Sequence, residues 1–103
     1  MTTSKQKAAG SAAERAVAKL LGGVRVGMDG GPTDVVIEGY AYIQVKTLRT
    51  LPSLRAIQHM LDIMPKDRLG AAVIIERKGS GNRGSRTITF DLDAWAEWHG
   101  TGD

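Results

Sequence analysis

The stretch Gly31–Thr47, GPTDVVIEGYAYIQVKT, decides the fold. Two short runs rich in β-branched and aromatic residues, Asp34–Glu38 and Ala41–Thr47, flank Gly39, the pattern of two strands joined by a turn. Along the second run the side chains alternate, with Tyr42, Gln44 and Lys46 on one face and Ile43 and Val45 on the other. Asp34 and Gln44 are roughly equidistant from the turn, so hairpin pairing sets them opposite one another. One carboxylate, one amide oxygen and one ammonium therefore converge near the open end of the pair.

Working outward, the alanine-rich run Ala8–Leu21 predicts a helix with Ala13, Ala16, Val17, Leu20 and Leu21 as its apolar stripe, ended by Gly22 and Gly23. Residues 1–7 read as a flexible tail. Val24–Met28 is a short strand, and DGGP, residues 29–32, a turn. Beyond the hairpin, a helix is expected from about Pro52 to Met64, with Leu54, Ile57, Met60, Leu61 and Met64 buried and Pro65 as its stop. Gly70–Glu76 is almost continuously apolar, as a central strand covered on both faces would be. Arg77–Arg86 reads as a basic hairpin loop, Thr87–Asp91 as a fifth strand, and Asp91–Gly100 as a short helix packing through Leu92, Trp95 and Trp98. The two tryptophans suit a small core, with a dimer surface as the alternative. The order αβββαββα gives an α/β fold. Short turns make its first three strands antiparallel and the crossover helix makes the next pairing parallel, so the central sheet is expected to be mixed and flanked by helices.

A chain of 103 residues is one domain's worth. Cysteine is absent, which excludes disulfides, thiol catalysis and cysteine-built zinc sites. Any metal must be held by oxygen or imidazole, which favours a hard ion such as Mg2+, with Mn2+ as the alternative. No run approaches the ~18 apolar residues of a membrane span, and the N-terminus lacks a signal-type apolar region, so a cytoplasmic protein without membrane association is expected. The net charge of +3 and pI near 9.5 come with a cluster of bases late in the chain. Arg49, Arg55, Arg77, Lys78, Arg83 and Arg86 suit phosphate contact, joined by Thr47 as a hydroxyl donor and Gln58 from the second helix. His59 has no companion histidine and reads as a helix surface residue, while the glycines of residues 79–84 lack the lysine and hydroxyl of a phosphate-binding P-loop.

The converging residues have the donors that metal-assisted phosphodiester hydrolysis needs. Asp34 would bind the ion, with the Gln44 amide oxygen and the Val45 carbonyl as further ligands and Glu14 acting directly or through water. Lys46 would orient or help deprotonate the attacking water and offset phosphate charge.

Pro32-Thr33-Asp34, Gln44-Val45-Lys46 and Glu14 together resemble the motifs of the PD-(D/E)XK nuclease superfamily, in its small Holliday junction resolvase branch of archaeal and phage type. The likeness spans roughly Gly10–Ile75. It departs at Gln44, where the family usually carries an acid, and at Thr33, which separates the proline from the aspartate. The resemblance implies a restriction-endonuclease-like fold, a homodimer, and metal-dependent cutting of branched DNA, with catalytic roles for Glu14, Asp34, Gln44 and Lys46. The alternatives are a non-catalytic DNA-binding module on the same fold and a small protein-interaction module of phage origin.

Overall fold

A computed structural model describes residues 4–26, 31–78 and 83–100, with side chains from Gly10 onward except that of Arg83. The first helix, α1 (Ser4–Leu21), starts upstream of the expected Ala8; residues 1–3 of the expected tail lie outside the described residues. Alanines and long straight side chains carry the helix. It stops where Gly22 adopts φ 70° and the Gly23 N–H donates to the Ala18 carbonyl at 2.8 Å, satisfying an end carbonyl. Gly23 is also needed for space: a Cβ there would lie 2.8 Å from the Val36 carbonyl oxygen and 2.9 Å from Val35 Cγ1.

Five strands follow: β1 (Val24–Arg25), β2 (Val35–Ile37), β3 (Ala41–Leu48), β4 (Leu69–Arg77) and β5 (Arg83–Phe90), with helices α2 (Leu54–Asp62) before β4 and α3 (Leu92–His99) at the end. They form one mixed sheet in the spatial order β1-β2-β3-β4-β5. β1, β2 and β3 pair antiparallel, β3 and β4 parallel, and β4 and β5 antiparallel. This is the expected architecture, a mixed central sheet flanked by helices in the order αβββαββα.

The alternation read in β3 holds: Ala41, Ile43 and Val45 are buried, with Tyr42 and Gln44 partly exposed and Lys46 exposed. In register, Leu69, Ala71 and Val73 share the face of Ala41, Ile43 and Val45, and α1 covers it with Val17 and Ala18. Val35 and Ile43 are fully enclosed, each contributing about 1.5–3 kcal/mol by burial. On the other face lie Gly70, Ala72 and Ile74, the last two buried, and Met64 Cβ would be 3.2 Å from a Cβ at Gly70. β4 is thus covered on both sides, as its unbroken apolar sequence implied.

Three expectations are corrected. The basic loop is shorter than Arg77–Arg86, because both ends are drawn into the β4–β5 hairpin, where Arg77 pairs with Arg83 across an irregularity and Ile75 with Arg86. Gly84 permits this, since a Cβ there would collide with the Glu76 backbone, and the Glu76 carboxylate accepts the Ser85 N–H at 3.1 Å. Leu54 and Leu20 belong to the predicted stripes yet are 78 % and 66 % exposed. The tryptophans are half-covered surface residues: Trp95 leans on Phe90 at 4.7 Å and Trp98 meets Tyr40 edge-on at 6.2 Å.

Candidate active site

β2 and β3 build the site. Val35 pairs with Ile43, and continuing that register opposes Asp34 to Gln44. The Asp34 backbone N–H donates to the Ile43 carbonyl and its own carbonyl accepts from Val26, both at 2.8 Å. With the backbone fixed on both sides, the side chain turns inward and Oδ2 accepts the Val45 N–H at 2.8 Å. Asp34 is thereby held beside the Gln44-Val45-Lys46 tripeptide.

The Asp34 carboxyl is pushed above its ordinary value. Burial is the main cause; the Val45 N–H opposes it, the Glu14 charge adds to it, and the charges of Lys46 and Arg25 oppose it. Glu14, Arg25 and Lys46 are therefore each within electrostatic reach of Asp34. The Gln44 side chain contributes a second unusual feature: its Oε1 is buried and has no hydrogen-bond partner among the described residues. Tyr42, on the same face, is already committed, donating its hydroxyl to Asp67 at 3.0 Å.

Arg25 is the residue that sequence reasoning missed. Its Nε lies 2.9 Å from Glu14 Oε1 and its Nη2 3.1 Å from Ser11 Oγ, one turn away on α1. The signal was available in the register: Arg25 is opposite Val35, which faces α1, so a cation on that face needs partners on α1. The pair fixes Glu14 near Asp34, but with its charge already met by a guanidinium.

The expected phosphate-contacting residues divide. Thr47, Arg77, Lys78 and Arg86 line one open groove between Ala12, Ala13 and Ala16 of α1 and the β4–β5 hairpin. The alanines keep its α1 wall low, and the acidic member, Glu76, is occupied by Ser85. Arg49 and Arg55 are exposed on either side of the segment between β3 and α2. Gln58 is not free for a ligand: its amide donates to Asp62 at 2.9 Å and to Asp91 at 3.0 Å, joining α2 to the cap of α3. The Arg83 side chain lies outside the described residues.

Whether a divalent ion suits this place turns on the donors. Among the described residues no group of three or more His, Cys, Asp or Glu side chains is placed to hold a metal, so an all-carboxylate cage is not available. A mixed oxygen set is: the desolvated Asp34 carboxylate, the unpartnered amide oxygen of Gln44 and the Val45 carbonyl. Mg2+ commonly takes one or two carboxylates and keeps several waters, so these residues fit it. No helix among the described residues is long and apolar enough to cross a membrane. Searches of family models, curated proteins and solved structures returned no match to this chain.

Proposed function

We propose that the chain is a divalent-metal-dependent endonuclease of restriction-endonuclease-like fold, acting as a homodimer on branched DNA in the manner of a small Holliday junction resolvase. The observation that carries the reading is the Asp34 carboxylate, desolvated and bonded to Val45 N–H between the unpartnered Gln44 Oε1 and the exposed Lys46. A half-buried carboxylate with a raised pKa and a buried carbonyl oxygen with no donor are both relieved by one hard cation. The basic groove of Arg77, Lys78 and Arg86 supplies a track for phosphates.

Asp34, Gln44 and the Val45 carbonyl would hold Mg2+ or Mn2+, which when bound polarises a phosphate and acidifies water. Asp34 keeps its orientation through the Val45 N–H, so it needs no reorganisation to act. The Lys46 charge is felt at Asp34, and its exposed ammonium could order a water for attack and offset charge on the phosphate oxygens. Glu14, steadied by Arg25, adds negative potential from α1 and would receive a water-mediated contact. Exposed Arg49 and Arg55 hold the strand beyond the cut.

A second reading, a DNA-binding module without cleavage, is favoured by one observation: the Glu14 charge is met by Arg25 and the described residues offer no third acid. One experiment separates the two. A labelled four-way junction and a matched linear duplex are incubated with the protein and Mg2+, Mn2+ or chelator, with Asp34→Ala alongside. Paired, metal-dependent cuts that vanish in the variant support the nuclease; tight binding with intact DNA supports the module.

A further inference from the structure

Directly after β3, the strand that carries Lys46, the chain runs Arg49-Thr50-Leu51-Pro52-Ser53-Leu54-Arg55 into α2. Leu51 is 64 % exposed and Leu54 78 % exposed, and both flanking arginines are exposed. Its α2 end is held in shape: Ser53 Oγ accepts the Ala56 N–H at 3.1 Å and the Ser53 carbonyl accepts the Ile57 N–H at 3.1 Å. The first turn of α2 contains no acid, so its free N–H ends add to the positive potential of the arginines.

We infer that Leu51 and Leu54 form an apolar wedge that packs against unstacked bases at a DNA branch point, with Arg49 and Arg55 neutralising the phosphates on either side. The inference rests on the DNA reading above and adds the source of its preference for branched substrates. What sets these two leucines apart from the chain's other exposed apolar residues is the arginine on either side, which makes the segment complementary to a partner that is both apolar and anionic. A second copy of this surface would bring like charges together, whereas a polyanion with accessible base faces satisfies both. In linear duplex those faces are stacked and must be opened at a cost; at a branch they are already exposed. The wedge therefore discriminates by DNA shape, while Arg49, Arg55 and the basic groove bind every duplex alike.

The test uses the full chain with chelator, so that binding is read without cleavage. Fluorescence anisotropy compares a four-way junction and a linear duplex of the same sequence, for the native protein, Leu51→Ser/Leu54→Gln, and Arg49→Gln. Because burying one leucine is worth roughly a factor of ten in affinity, the double variant is expected to bind the junction about a hundredfold more weakly and the duplex within about twofold of the native protein. Its salt dependence stays the same, while Arg49→Gln weakens both DNAs and lowers the salt slope by about one. A 2-aminopurine at the branch is expected to lose its fluorescence change in the leucine variant. Circular dichroism verifies folding, which exposed substitutions leave intact.

Equal losses on both DNAs, or no loss on either, overturn the wedge. So does an unchanged junction affinity with loss of a dimer in sedimentation equilibrium, which would assign the leucines to a protein contact. If the native protein binds neither DNA, the DNA reading fails and the wedge with it. If it binds both and the leucines make no difference, the wedge alone fails.

Discussion

Arg25→Met keeps the aliphatic stem that packs beside α1 but removes both hydrogen bonds of the guanidinium, to Glu14 at 2.9 Å and to Ser11 at 3.1 Å. The two charged side chains are 33 % and 21 % exposed, between the surface and buried limits. A fully exposed pair contributes about 0.2–1 kcal/mol and a hydrogen bond to a charged group about 1.5–3 kcal/mol. The variant also leaves Glu14 facing Asp34 with less countercharge nearby. A loss of about 1.5 kcal/mol follows, discounting for solvent screening, or roughly 8 °C in Tm for a domain of this size. Thermal unfolding of native, Arg25→Met, Glu14→Gln and the double variant gives the coupling directly, expected at about 1 kcal/mol and smaller at high salt. Freed from Arg25, Glu14 becomes available to a cation, so Mn2+ is expected to raise the Tm of Arg25→Met more than that of the native protein. A coupling under about 0.3 kcal/mol would refute the claim that Arg25 holds Glu14. An Mn2+ response equal to the native one would refute the claim that Arg25 limits its use as a ligand.

Asp34→Asn tests the desolvated carboxyl. The folded-state pKa is raised above the ordinary 3.8, so ionisation costs stability: the contribution is fully present below 3.8 and is lost as pH rises through the folded value. Asn keeps an acceptor for Val45 N–H without charge, so its Tm advantage over the native chain should grow across that window; an advantage flat with pH would contradict the burial argument. Gly23→Ala should cost about 1–3 kcal/mol in denaturant unfolding, because its methyl meets the Val36 carbonyl; a neutral result would mean that the α1–β2 approach is loose. The Asp91 carboxylate caps α3 through Ala94 N–H and accepts from Gln58, both of which lower its pKa. Its contribution is present above 3.8 and lost as pH falls through the depressed folded value, so the Tm deficit of Asp91→Ala should shrink in acid, and a deficit independent of pH would argue against the charge.

The hairpin was legible because period-two alternation and Gly39 act locally, and the Val35–Ile43 register follows from burying one face. The Asp34–Gln44 relation came with it. The crossover helix implied the parallel pairing, since a helix running back along the sheet returns the chain to the end where β3 began. What stayed hidden depends on distance. Leu54 fits the α2 stripe yet is exposed, because a stripe gives the side of the helix a residue lies on and not how far the neighbouring layer reaches along it. The Arg25–Glu14 bond joins a two-residue strand to a helix, and neither partner alone signals the other. The Arg77–Arg83 pairing looked like loop because glycine and basic residues dominate it, while the irregularity beside Gly84 and the Glu76–Ser85 bond that support it are tertiary details.

The sheet's spatial order repeats its chain order, so each strand is laid beside the one made just before it. Every member of the candidate metal and catalytic set, from Glu14 to Lys46, lies in α1, in β3 or at the entry to β2, whereas β4, β5 and α3 contribute foundation and outer surface. The later half of the chain can therefore change length and charge at the β4–β5 turn without disturbing the spacing of Asp34 and Val45. Such a division leaves the candidate site intact while the outer surface added after it varies.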